Sequence, residues 1–472
     1  MRHRLALFAA IILGVGTIAA LSTSGVGTSP MSAGATAGAS STPIKHVVVF
    51  MQENHSFNNI LGAFCVQQKR CTGTTTGKLS TGQTISLSAA PDVVPNVDHS
   101  IKGQTTAIDG GKMDGYNKIS GCSGPQYACY SVYEPTLSGG GPNPSVQNVM
   151  SLAKTFAVSD MTFEPGPVPS WGEHLALVTA NNLDGFSGDN PTGPGPGWGC
   201  DSGDTAPWSS TGLAPFMMEP SCVPAPKGSP EVAKEPPAVQ KSPAQWVPTI
   251  LDSLKKAGDT FKIYGASKTD GNYIWDTCPT FADCLYTNEA KSMVPTASVL
   301  TDAKNGKLPN FSLLMPATGP SGSTSQHNGT SMATGDNWIG QVVSAIENGP
   351  QWQSTAIFLS WDDCGCFYDE VAPPSGLGIR VPMIVISPWV IKGHTDHNVA
   401  TWASILAFTE HVLGLPPLNA TDKNAYNYLK SFNFAQTPTQ IARHKAPLSQ
   451  HLVPRSSTAW IATHPPDLSD PT

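Results

Sequence analysis

Short apolar runs alternate with longer segments of helical spacing along most of this chain. The run His46-Val47-Val48-Val49-Phe50-Met51 is apolar on both faces and rich in β-branched residues, which predicts a buried strand over 46–52. "STAIFLSWDD" (354–363) and "VPMIVISPWV" (381–390) predict two more buried strands. "SVQNVMSLAKTFAVSD" (145–160) and "WVPTILDSLKKAGDTFKIYG" (246–265) each read as a helix running into a strand. "EHLALVTANN" (173–182), "NWIGQVVSAIENG" (337–349) and "TWASILAFTEHVLG" (401–414) have helical spacing. Strands that alternate with helices imply an α/β fold: a central, mostly parallel sheet with helices on both faces. Residues 63–145 and 187–245 read as long polar or Gly/Pro-rich loops, and no internal repeat is visible.

The ends of the chain break this rhythm. Arg2 and Arg4 precede an apolar stretch, Leu5 to Leu21, and then small residues, the pattern of an export signal cleaved after Ser22 or Ala37. A membrane anchor is the competing reading. The expected division is a signal and Ser/Thr/Gly/Ala-rich leader (1–43), a catalytic domain (44–435), and a Pro/His/Ser-rich tail (436–472) without an assignable fold. With 472 residues and 39% hydrophobic content the chain can bury a large core, and a net charge of −7 argues against a dedicated nucleic-acid binder. Ten cysteines lie as close pairs: Cys65/Cys71, Cys122/Cys129, Cys200/Cys222, Cys278/Cys284 and Cys364/Cys366. Local disulfides in an oxidising compartment are the natural expectation; no CxxC pair points to a zinc–thiolate cluster.

Two strand tips carry candidate chemistry. Glu53-Asn54 follows the first strand and Asp362-Asp363 follows the strand over 354–363. Ligands of open α/β sheets bind beyond the carboxyl ends of strands. Carboxylates leaving a buried strand need a cation or hydrogen bonds to compensate them, and oxygen ligands suit a divalent ion. An exposed turn before Cys-Gly-Cys is the competing reading of Asp362-Asp363. In "EPGPVPSWGEHLAL" (164–177), Ser170 stands before a helical segment, either as its N-cap or as a hydroxyl beside a phosphate-binding helix N-terminus. His99, His327 and His397 sit in polar loops, where they are either solvated or converge on phosphate oxygens and a leaving group.

"FMQENHSFNNILG", "GGKMDGY" (110–116), "PSWGEHL", "SWDDCGCFYDEVAPP" (360–374), "GIRVPMIVISPWV" (378–390) and "SILAF" (404–408) follow one another as motif islands. In that order they resemble the bacterial phosphoesterase family of secreted acid phosphatases and phospholipases C, within the alkaline-phosphatase-like superfamily. The resemblance implies that Glu53, Asn54, Asp362 and Asp363 hold a divalent metal (Ca, Mg, Mn or Zn). It implies that Ser170 is both nucleophile and metal ligand, and that His99, His327 and His397 contact the phosphoryl group or assist the leaving group. The implied reaction passes through a phosphoserine. The leading expectation is a phosphate monoesterase of acid-phosphatase type. A phospholipase C in transient contact with a membrane surface is the alternative, and an inactive secreted binding protein is a further one. Departures from the family pattern are His55 for Arg, Asn58 for Asp, Glu370 and Trp402 for His, and Cys364/Cys366 flanking Gly365 where Gly-Gly is usual. A Cys364–Cys366 bond would stiffen the loop beside Asp363 through a small, strained ring. No Cys-x-Pro-x-Arg or Ser-x-Pro-x-Arg segment suggests a sulfatase.

Overall fold

Val47, Val49 and Met51 pack on one side of strand β1 (His46–Gln52), and Val48 and Phe50 on the other, all of them buried. A strand buried on both faces belongs in the middle of a covered sheet. The computed structural model, which describes residues 42–122, 128–265, 268, 271–317 and 323–454, places it there. The other strands of this sheet are β2 (Ala157–Ser159), β3 (Phe261–Gly265), β4 (Met293–Pro295), β5 (Phe311–Leu314), β6 (Thr355–Trp361), β7 (Met383–Ile386) and β8 (Thr395–Asp396). Their spatial order is β4-β3-β5-β1-β6-β7-β2-β8. Every pairing is parallel except those of β7, which runs antiparallel to β6 and β2. The expected α/β, mostly parallel sheet is therefore present.

Helices cover both faces. α1 (Ile101–Ile108) lies in the polar insert that follows β1. α2 (Gln147–Thr155) puts Val149 and Leu152 on the face that holds Val48 and Phe50. α3 (Ser170–Thr179) puts Leu175 and Val178, and α4 (Ile250–Ala257) puts Ile250 and Leu254, on the face that holds Val47 and Val49. α5 (Met332–Glu347) returns to the first face with Ile339, Val342 and Val343, and α6 (Trp402–Leu413) to the second with Trp402, Ile405 and Leu406. α4 shows why such segments are legible: Thr249 and Asp252 form a reciprocal cap, and Gly258 ends the helix at φ 83°.

Several elements depart from the sequence reading. β5 was not legible, because four apolar residues between Asn310 and Pro316 show no period, yet it pairs with β1 itself. The 187–245 stretch holds a hairpin, Thr205–Trp208 with Met217–Pro220. Part of the segment expected as a tail is tied to the domain. The helix Pro438–Arg443 buries Ile441, Ser449 N–H donates to Asn148 Oδ1 (3.0 Å), and His451 N–H donates to Asn337 Oδ1 (2.9 Å). Four of the five cysteine pairs are disulfides. Cys364 and Cys366 are instead buried thiols with their sulfurs 3.6 Å apart, and the Cys366 N–H donates to Cys364 Sγ (3.1 Å). The tight Cys-Gly-Cys turn closes by hydrogen bonds to sulfur. The expected signal and leader fall on residues 1–43, of which 1–41 lie outside the described residues. Among the described residues no helix is long and apolar enough to cross a membrane.

Candidate active site

β1 and β6 are parallel neighbours in register to their last pair, Gln52 with Trp361, so Glu53-Asn54 and Asp362-Asp363 leave the sheet side by side. The two tips are bonded to each other. Asp362 N–H donates to the Gln52 carbonyl (3.0 Å), and Asn54 N–H donates to Asp362 Oδ1 (3.0 Å). Asn54 sits at φ 61°, a left-handed conformation that Asn tolerates better than most residues. Gly365, at φ 50°, donates its N–H to Asp363 Oδ1 (2.7 Å), and a side-chain carbon there would run into the Asn54 carbonyl oxygen. The glycine between the two cysteines is thus required by both its backbone angle and its close approach.

α3 brings the hydroxyl. Its cap position is Pro169, so Ser170 is the first helical residue rather than the N-cap. The Ser170 hydroxyl is left to donate to Asp363 Oδ2 (3.3 Å), while Asn190 Oδ1 accepts the Trp171 N–H (2.9 Å). One helical turn later stands His174, whose Nε2 lies 3.8 Å from both Glu53 Oε1 and Asp362 Oδ2. Ligand atoms of Glu53, His174 and Asp362 all fall within 4.8 Å of one another. Glu53 Oε1, Asp362 Oδ2 and both imidazole nitrogens of His174 are buried without a hydrogen-bond partner. Buried polar atoms are rarely left so, and three that face one another could serve as the donor set of a cation.

Two of the three expected histidines join this cluster. His99 is buried, with Nδ1 against the Val97 carbonyl (2.7 Å) and Nε2 2.8 Å from the Asn54 amide. The surroundings favour the amide orientation in which Asn54 Oδ1 accepts from His99 Nε2 while Nδ2 donates to Glu53 Oε2 (3.1 Å) and Asp362 Oδ1 (3.2 Å). His327 is buried with its ring centroid 6.1 Å from that of His99, and it stacks on Trp275. His397 is not brought in. Its side chain is 64% exposed, and Nδ1 pairs with Asp160 Oδ1 (2.8 Å) at the exit of edge strand β8. β7 and β2 stand between β8 and β6, which at ordinary strand spacing is about 14 Å. A loop histidine carries no sign of which strand end it follows in space.

The sequence reading also missed residues. His174 was visible in "SWGEHL", and its i,i+4 spacing from Ser170 was the signal. Glu164 and Glu173 gave none: both are buried beside this cluster, and Trp402 Nε1 donates to Glu173 Oε2. His55, at a motif position, is structural. It pairs with Asn59 Oδ1 (2.7 Å) and the Gln326 carbonyl (3.0 Å), and burial pulls its pKa down to about 4. Behind the β1 tip, Arg380 is buried and donates to both Asp369 oxygens (3.1 and 3.2 Å), to Glu370 Oε1 (3.1 Å) and to the Thr72 and Asp160 carbonyls (3.2 and 2.9 Å). Its guanidinium lies 4.2 Å from the Phe57 ring centroid, and Asp369 Oδ2 also accepts the Asn58 N–H (2.9 Å). This pair anchors the turn that follows Glu53-Asn54.

The acids share one electrostatic problem. Burial, followed by the neighbouring Asp362, pushes Glu53 well above the usual carboxylate range and Asp363 up to about 7. Burial likewise raises Glu164 and Glu173, and it lowers His174. A carboxyl whose pKa is higher folded than unfolded stabilises the fold at low pH and loses that contribution as pH rises through the folded value. The histidines with depressed values titrate below their ordinary 6.5 and leave the window above it clear. Above about pH 6.5 chelated protein is expected to lose stability as pH rises, at up to about 1.4 kcal/mol per pH unit for each carboxyl still protonated in the fold, with the Asp363 share exhausted once pH passes about 7. Divalent cation is expected to restore the loss, and Glu53→Gln to reduce it by the share of that one carboxyl. Thermal melts across that range check this, and a pH-independent Tm in chelator would refute it.

The hairpin stands near this site. Its tip exposes Leu213 (70%), Met217 (55%) and Met218 (54%) beside Phe216, and residues 205–218 carry no charge. Phe216 and Pro207 line a cavity of about 400 Å³ together with Ser100, Ile101 and Asp189. Ser100 follows His99, and Asp189 precedes Asn190, which holds the start of α3.

Comparison with known proteins finds phospholipases C among the relatives of this chain. Non-specific phospholipase C3 of Arabidopsis thaliana is 21% identical over 76% of this chain and 66% of its own length. Non-specific phospholipase C1 of the same plant is 27% identical over 42% of each chain. A non-hemolytic phospholipase C of Burkholderia pseudomallei is 25% identical over 34% of this chain and 31% of its own. The chain thus spans less than two thirds of the length of each of these relatives. A solved protein of the alkaline phosphatase superfamily from Vibrio parahaemolyticus aligns with 57% of this chain and 61% of its own at 14% identity, with a TM-score of 0.31. Over residues 44–416, which hold both acidic strand tips, Ser170 and the two converging histidines, the sequence matches the Phosphoesterase family, to which this chain belongs.

Proposed function

We propose that this protein hydrolyses phosphate esters, monoesters first, by transfer of the phosphoryl group to Ser170. The observation that carries the reading is the Ser170 hydroxyl, at the first residue of α3, donating to Asp363 beside the unpartnered oxygens of Glu53 and Asp362. Those oxygens fit a divalent cation, held by Glu53, Asp362 and Asp363 with Ser170 as a further oxygen donor; Asn54, expected as a ligand, instead turns its Nδ2 to Glu53 and Asp362 and positions them. When bound, the cation would neutralise charge on the phosphoryl oxygens and on the serine oxygen. Ser170 Oγ attacks phosphorus in line, its proton passes to Asp363 Oδ2, and the bond to the ester oxygen breaks. On this reading His327 protonates the departing alkoxide while His99 holds the Asn54 amide, and water then hydrolyses the phosphoserine. Burial of this machinery keeps bulk water from screening it. His397, 64% exposed and bonded to Asp160, has no part in these steps.

A second reading, hydrolysis of phospholipid phosphodiesters, has its own support in the uncharged apolar hairpin tip and the adjoining cavity. The four disulfides favour an exported protein in either case. The test is turnover of p-nitrophenyl phosphate beside p-nitrophenylphosphorylcholine, with and without chelator. Faster monoester turnover that chelator abolishes supports the first reading. Diester preference, with Met217→Ser/Met218→Ser slowing hydrolysis of vesicle lipid by about tenfold or more and sparing the soluble diester, supports the second. Turnover of neither substrate with cations restored would refute both and leave a binding protein on this fold.

A further inference from the structure

Ser170 and His174 stand one turn apart on α3, and residues at this spacing share a helix face. Ser170 reaches Asp363, and His174 reaches Glu53 and Asp362. His174 is only 4% exposed, and neither ring nitrogen is committed to another partner. Nε2 faces two carboxylate oxygens that are themselves unpartnered, each 3.8 Å away. That separation is too long for an N–H···O bond. It is close to the edge of about 3.4 Å between donors held about 2.1 Å from a tetrahedral ion. Glu173 Oε1 is unpartnered too, but among the described residues it is Glu53, His174 and Asp362 that bring ligand atoms within 4.8 Å of one another.

We infer that His174 Nε2 is a nitrogen ligand of the cation held by Glu53 and Asp362, and that this makes the site selective for a borderline transition ion over calcium or magnesium. The inference rests on the cation assignment under Proposed function and adds to it the class of ion. Calcium and magnesium take oxygen shells, whereas imidazole suits zinc, copper, iron and nickel. With His174 as a ligand, one turn of α3 presents both the attacking hydroxyl and a metal donor, so the helix sets the distance between them.

The test is cation binding by the full chain after chelator treatment, for wild type, His174→Gln, His174→Cys and Glu53→Gln. Calorimetry is run with Zn²⁺ and Ca²⁺, and visible absorption with Co²⁺. Wild type is expected to prefer Zn²⁺, and His174→Gln to lose about 100-fold in Zn²⁺ affinity with changed Co²⁺ bands while Ca²⁺ affinity moves less than about threefold. His174→Cys, which supplies another transition-metal donor, is expected to recover Zn²⁺ but not Ca²⁺ affinity. It also keeps the inference testable if His174→Gln does not fold. Glu53→Gln is expected to weaken both ions. Unchanged Zn²⁺ affinity and Co²⁺ bands in His174→Gln would overturn the inference. So would equal losses of Zn²⁺ and Ca²⁺, the signature of an imidazolium that only clamps the two carboxylates. In both cases the Glu53→Gln effect leaves the cation site standing. If Glu53→Gln too binds like wild type, the cation assignment itself falls.

Discussion

Ser170→Ala is expected to lower kcat for phosphate-ester hydrolysis by about 10⁴-fold or more, because on the proposed reading it removes the atom that accepts the phosphoryl group. The fold should not notice. Ser170 makes one side-chain hydrogen bond, to Asp363, and Pro169 rather than Ser170 occupies the cap of α3. Alanine is a better helix former than serine, so the first turn keeps its backbone. A Tm within a few degrees of wild type, together with lost turnover, separates the chemical role from a structural one. The matching direct measurement is acid-quenched protein after a short reaction with labelled monoester. Wild type should carry phosphate on the peptide that contains Ser170, and the alanine variant none. Turnover in Ser170→Ala within tenfold of wild type would exclude Ser170 as the nucleophile.

Arg380→Met is expected to cost about 3–5 kcal/mol of folding stability, measured by chemical denaturation. The arginine is wholly buried, and its N–H groups meet Asp369, Glu370 and the Thr72 and Asp160 carbonyls. Methionine fills much of the volume but leaves Asp369 as a buried carboxylate whose remaining donors are the backbone N–H groups of Asn58 and Val371. The cost therefore comes mainly from the charge left behind. The double change Arg380→Met/Asp369→Leu should recover part of it, since removing both charges is far cheaper than removing one. A loss below 1 kcal/mol for Arg380→Met would show that the pair is solvated in solution. Because Phe57 and Asn58 lean on this pair, Arg380→Met should also slow turnover by disturbing Glu53 and Asn54.

The parts of this protein that were legible in its sequence are those where one residue pattern has one physical solution. A run apolar on both faces, 46–52, can only sit inside a covered sheet, and the capped, periodic segment at 250–257 can only be a helix. Glu53 and Asp362 could be read as neighbours in function because each follows a buried strand, but their adjacency depended on β1 pairing with β6, which no local signal encodes. β5 was too short to show a period. His397 was misplaced for the converse reason: its loop resembles those of His99 and His327, and only the insertion of β7 and β2 into the sheet order sends it to the edge. His174 was masked because a histidine inside a helical run also reads as an ordinary helix residue, and only the face it shares with Ser170 gives it a site.

The position of β1 has a consequence for how the chain comes to be folded. β1 is made first among the sheet strands, yet Val47 pairs with Phe311 on one side and with Ala356 on the other. During synthesis this strand waits, with apolar side chains on both faces, until most of the polypeptide has emerged. An N-terminal fragment that stops short of residue 355 has no partner for one of its edges. Formation of the sheet and assembly of the acidic pocket are therefore late, coincident events, with folding slow in proportion to so distant a pairing. A ribosome would therefore release most of this chain before its central sheet could close.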